Sequence, residues 1–155
     1  MLLIPVLILL TIVIYQDFRF REIWWFTPPL LFAGGILMNW NQLEWKQLAF
    51  NCAFIVMMLV LLLIYVRFRF KSLNLFREYF GIGDALILLA IAPFFGFPFF
   101  IYFFTGATII SLIGHVVISL FKAQKTIPYA GYVSITTAVF LLLAYWNINP
   151  FITAG

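Results

Sequence analysis

The sequence predicts an all-α integral membrane protein, one bundle of about six transmembrane helices with both termini outside, and three observations predict it. The 155-residue chain is 66% hydrophobic and only 9% charged, whereas soluble domains hold roughly 45–50% apolar and 25% charged residues. Its apolar residues come in long runs, without the period-two alternation that a membrane barrel needs. Its basic residues gather in alternate connections. At about 20 residues per span the bundle uses up the length, so 1–155 reads as a single transmembrane domain with no soluble partner domain.

The first span is expected at 2–16. It opens without a basic leading region or a small-residue cleavage site, so it reads as retained and not as a removable signal peptide. Further spans are expected at 27–39, 48–66, 83–96, 98–121 and 127–146, the first, second and fourth of the six being short. Backbone amides in hydrocarbon must bond inside their own segment, which makes each run a helix.

The connections set the orientation. Arg19 and Arg21 lie in the first, Arg67, Arg69, Lys71 and Arg77 in the third, and Lys122 and Lys125 in the fifth, which is eight of the nine basic residues. Only Lys46 lies in the second connection, and the fourth, around Pro93 to Pro98, carries no charge. The positive-inside rule therefore puts the odd connections in the cytoplasm. The net charge of +4 is a topology signal and not a nucleic-acid footprint. Phe18-Arg19-Phe20-Arg21 and Arg67-Phe68-Arg69-Phe70 place rings at the headgroup level with guanidinium groups on phosphates and water, and Trp24, Trp25, Trp40, Trp45 and Trp146 form interfacial belts. The single cysteine, Cys52, rules out an intramolecular disulfide and a cysteine-rich zinc site.

The chain has only two aspartates, Asp17 and Asp84, and the basic residues alone put both at cytoplasmic ends of spans. Each has an ordinary reading. Asp84 follows Gly81-Ile82-Gly83 at the start of the fourth span, where a carboxylate caps orphan amides and meets the positive end of the helix dipole. Asp17 stands just after the first span beside Arg19, Arg21 and Glu22, where an exposed ion pair contributes little. Taken together they support a second reading. Two carboxylates sharing one proton can hydrolyse a peptide bond without metal, thiol or serine, one acting as base toward water and the other polarising the carbonyl. Such a pair titrates as a coupled unit. Gly81 and Gly83 leave room beside the acid for backbone or an extended peptide.

These residues resemble the type IV prepilin peptidases, the bacterial membrane aspartyl proteases with a Gly-x-Gly-Asp signature. Gly81-Ile82-Gly83-Asp84 matches that signature, Asp17-Phe18-Arg19 with Ile23 six residues after the acid matches the first aspartate motif, and Ile127-Pro128-Tyr129 is similar to the Pro-containing segment of the last span. The resemblance implies Asp17 and Asp84 as the catalytic pair, with Gly81, Gly83, Arg19 and Pro128 supporting the motifs. It implies cleavage of a short basic leader from prepilin or pseudopilin precursors, after a glycine, at the cytoplasmic face of the bacterial inner membrane. No metal or other cofactor is implied. Longer relatives also methylate the new N-terminus and carry a cysteine-containing N-terminal region; this short form lacks it, so methylation is not expected. Two positions depart from the pattern: Leu86 replaces a usual lysine and Trp24 a usual proline, which leaves a catalytically inactive relative as an alternative.

Glu22 and Glu78 flank the cytoplasmic mouth, either as contacts for a basic leader or as solvated partners of arginines. His115, with Ser111 and Ser119 one turn away on either side, reads as a packing residue bonded to hydroxyls, with an intramembrane functional role as the alternative. Gly106, Gly114, Ala107 and Thr108 offer small surfaces for close helix contact. The rival class is a transporter or scaffold, which predicts acids near mid-membrane and inverted repetition; neither is visible. Lipids and precursor peptides are the partners implied, and the oligomeric state is left open.

Overall fold

The apolar runs fold as helices close to the expected places. A computed structural model describes residues 2–70, 81–121 and 127–146. Among them six helices follow one another: α1 (Leu3–Phe20), α2 (Thr27–Met38), α3 (Trp45–Phe70), α4 (Ile82–Ile91), α5 (Phe99–Phe121) and α6 (Tyr129–Tyr145). α4 ends in a 3-10 turn, Ala92–Phe94. The chain is all-helical among the described residues, as the sequence predicts. Leu3–Phe20, Trp45–Arg69 and Phe99–Leu120 are long and apolar enough to cross a membrane, and Thr27–Met38, Ile82–Phe94 and Tyr129–Tyr145 are shorter apolar helices. Lys71, Arg77, Glu78, Lys122 and Lys125 lie outside the described residues.

One boundary differs in a way that matters. α1 runs four residues beyond the expected end, so Asp17 is inside its last turn and not in the connection. Helical spacing explains this, because Val6, Leu10, Val13 and Asp17 fall at steps of four, three and four and all are buried, which makes Asp17 the end of the packed stripe.

α1 packs against α6 and α2, and α5 packs on α6. α4 sits in the middle, touching α2, α6 and α3, which is why Ala85, Ile87, Leu88, Ala90 and Ile91 are buried within ten residues. Close approach needs small residues here. A Cβ on Gly35 would lie 2.9 Å from the rings of Phe94 and Pro93, so the far end of α4 seats on α2.

A short helix ending inside an apolar bundle leaves carbonyls without partners. Amide side chains answer this. Asn51 of α3 donates to the carbonyls of Ala92 (3.0 Å) and Phe95 (2.7 Å), and Asn39 donates to that of Pro93 (2.8 Å). Gln47 accepts from the Phe97 amide (3.2 Å) and donates to Glu44 (2.9 Å), which gives Glu44 a structural partner that the sequence does not reveal. The large aromatics Phe95, Phe100 and Phe103 fill the same end, with Phe95 stacked on Phe103 at 4.1 Å.

Candidate active site

The start of α6 brings the two acids together. Pro128 is its N-cap and has no N–H to offer. The Tyr129 amide bonds back to the Ile127 carbonyl (2.9 Å), and the Tyr132 amide makes the first helical bond to Pro128 (3.2 Å). The amides of Ala130 and Gly131 are left without backbone acceptors, as the first turn of any helix leaves them. They donate instead to the two carboxylates, Ala130 N–H to Asp84 Oδ1 at 3.0 Å and Gly131 N–H to Asp17 Oδ2 at 2.6 Å. Adjacent amides on one helix thus hold acids from two others, 67 positions apart in sequence (84 minus 17).

The energetics favour this arrangement. Asp17 is buried, with 6% of its surface exposed. A buried carboxylate is costly unless hydrogen-bonded, and charge-assisted bonds recover about 1.5–3 kcal/mol each. The positive end of the α6 dipole adds about 0.3–2 kcal/mol for charge placed there. Each acid spends one oxygen on this bracket, and a carboxylate has about four lone-pair sites, so acceptor capacity remains on both for water and substrate. Asp84 is within electrostatic reach of Asp17, and Arg21 acts on both acids.

Both ordinary readings change. Asp84 is the third helical residue of α4 and not its cap; Gly81 holds the cap position, with its amide also bonded toward the Asp84 carboxylate. Asp17 faces inward to α6 and is not a surface ion-pair residue. The glycine positions are occupied by the chain's own atoms. A Cβ on Gly81 would lie 3.0 Å from Asp84 Oδ2, and one on Gly83 would lie 3.0 Å from Ile23 Cδ1. Ile23 therefore packs against the residue next to Asp84, which ties the first motif to the second.

Arg19 and Glu22 are exposed near the site, and Glu78 lies outside the described residues. Arg21 is the basic residue whose charge reaches both acids, whereas Arg19, the residue of the motif, is exposed. Arg21 caps α1 in the left-handed region at φ 60°, its amide bonded to the Asp17 carbonyl (3.3 Å). No sequence pattern announces a non-glycine residue in that conformation. The Ala130 and Gly131 amides also escaped sequence reading. The signal for them was a proline three residues ahead of a glycine at a helix start, where free amides are expected.

Trp24 makes use of its departure from the proline pattern. Its N–H donates to Oε1 of buried Gln16 at 3.0 Å, a bond proline could not make. Leu86 is exposed. His115 does not bond to the serines around it, because Ser111 and Ser119 turn to the carbonyls of Ala107 and Val116 in their own helix. Gly114 is a close-contact position, a Cβ there falling 2.6 Å from the Tyr132 ring, whereas a Cβ on Gly106 would meet nothing within 4 Å among the described residues. Among the described residues no group of three or more His, Cys, Asp or Glu could hold a metal ion.

The sequence model of the type IV leader peptidase family matches residues 4–118 of the chain. That stretch holds both aspartates and stops short of the α6 amides that bracket them. No curated protein and no solved structure matches the chain.

Proposed function

Because the chain belongs to the type IV leader peptidase family, and so is a membrane protease by descent, we propose that Asp17 and Asp84 are its catalytic acids and that it removes leader peptides from prepilin-like precursors. The observation that carries this reading is the shared bracket, two carboxylates from different helices held by consecutive amides of a third. An ordinary cap or surface ion pair would not bring both to one point.

In the proposed reaction the pair holds one proton. The ionised carboxylate takes a proton from a water as its oxygen attacks the scissile carbonyl carbon, and the protonated one donates to the carbonyl oxygen. The tetrahedral intermediate then collapses, a proton passes to the leaving nitrogen, and a new carboxyl and a new amine result. That each acid is held by a backbone amide before substrate arrives supports this reading, since pre-positioned groups lower the entropy cost of reaction. Arg21 supplies positive charge as the charge on the pair changes. The distribution of basic residues supports the cytoplasmic face as the place of this chemistry, and the family likeness implies the bacterial inner membrane.

Co-expression with a pilin-like precursor tests the reading. Wild type is expected to release a shortened product with a new N-terminus, and Asp17→Asn or Asp84→Asn to lower cleavage by at least about 1,000-fold, since each acid is needed for the shared proton. Normal processing by either variant sinks the assignment.

A further inference from the structure

An apolar cavity of about 150 Å³ lies one helical turn from Asp84. Met58 and Leu59 of α3, Leu88 of α4 and Phe104 of α5 wall it. Thr108 and Tyr129 also line it, and their hydroxyls bond each other at 3.0 Å, so these two groups already have a polar partner. Its outer rim includes exposed Met58, next to exposed Met57 and Leu61 on the outward side of α3.

The cavity shares its frame with the acid pair. Leu88 follows Asp84 by four residues, which puts it on the same face of α4, about 5–6 Å further along. Tyr129 immediately precedes Ala130, whose amide holds Asp84, and the Asp84 charge reaches the Tyr129 hydroxyl. Any occupant of the cavity therefore sits about one turn from the scissile bond. Size limits what that occupant is. A space of about 150 Å³ with this apolar lining accepts a group about the size of benzene, which matches one large side chain.

We infer that this cavity receives one large apolar side chain of the precursor, carried within about one helical turn of the cut bond on its membrane-buried side. The inference rests on the proposed role of Asp84 and adds to it a specificity pocket. Filling a pocket of this kind is expected to separate substrates by about 10–200-fold in kcat/KM.

Two measurements test it. In the first, a photo-crosslinking residue replaces Met58 in the Asp84→Asn background, reconstituted in vesicles with a precursor of defined sequence. Capture of the precursor through its apolar segment supports the pocket, and capture of lipid alone overturns it. This readout does not depend on cleavage, and continued cutting by Asp84→Asn would count against the acid-pair reading and not against the pocket.

In the second, each large apolar residue in the first turn beyond the cut is changed to alanine in turn, and kcat/KM is compared for wild type and Leu59→Trp. One position is expected to cost wild type tenfold or more. Leu59→Trp, which fills the cavity, is expected to cut both precursors at the rate wild type shows for the alanine form. Equal discrimination by the two proteins overturns the inference.

Discussion

At the scale of single residues, Gly131 carries more of the site than any side chain except the two acids. A Cβ there would lie 2.7 Å from Cε2 of Phe18 and 3.1 Å from Asp17 Oδ2. Two effects of Gly131→Ala oppose each other in stability. Alanine gains about 0.5–1 kcal/mol of helix preference, and the Phe18 ring, at the surface, must swing aside. Activity has no such offset, because the displaced group is the acid itself. Gly131→Ala is expected to fold with stability within about 1 kcal/mol of wild type and to cut precursors about 10–100-fold more slowly, measured as kcat in detergent or vesicles. A fall in stability with unchanged kcat would mean that the bracket is not part of the chemistry.

At the scale of elements, the terminus of each short helix is where polar side chains matter. Asn51→Leu removes the donor for the Ala92 and Phe95 carbonyls and is expected to cost about 1–3 kcal/mol per buried carbonyl left without a partner, read from unfolding in mixed micelles. Trp24→Pro removes the N–H that Gln16 accepts and is expected to loosen the hold of Ile23 on Gly83. Replacing Gln16 by methionine, which removes the same acceptor, should reproduce its loss of activity. The helices themselves were legible in the sequence because long apolar runs admit few alternatives in lipid, and a helix lies at each of the six expected places, with ends displaced by up to five residues. The site was half legible. Asp17 and Asp84 stand out as the only aspartates of the chain, but their holders are backbone amides, which carry no residue type to read. Arg21 was hidden for a related reason, since its importance comes from a left-handed cap and not from its spacing. His115 was over-read, because hydroxyls in a helix reach their own carbonyls before a neighbour's ring.

At the scale of the whole molecule, the six helices and the bracket make one claim about orientation. Both acids meet the N-terminal end of α6, so they share one end of the bundle. With Cys52 changed to serine, a cysteine at Glu22 is expected to react with an impermeant label only from the cytoplasmic side, and one at Glu44 only from the outside. Labelling of both from one side would break the alternation of charge that the connections display. The bracket also orders events in time. A ribosome delivers the segment bearing Asp17 first and the segment bearing Asp84 next, while the turn that clasps them follows both, since chains enter the membrane from the N-terminus onward. Until that turn arrives, the nascent protein holds both acids without the amides that clasp them.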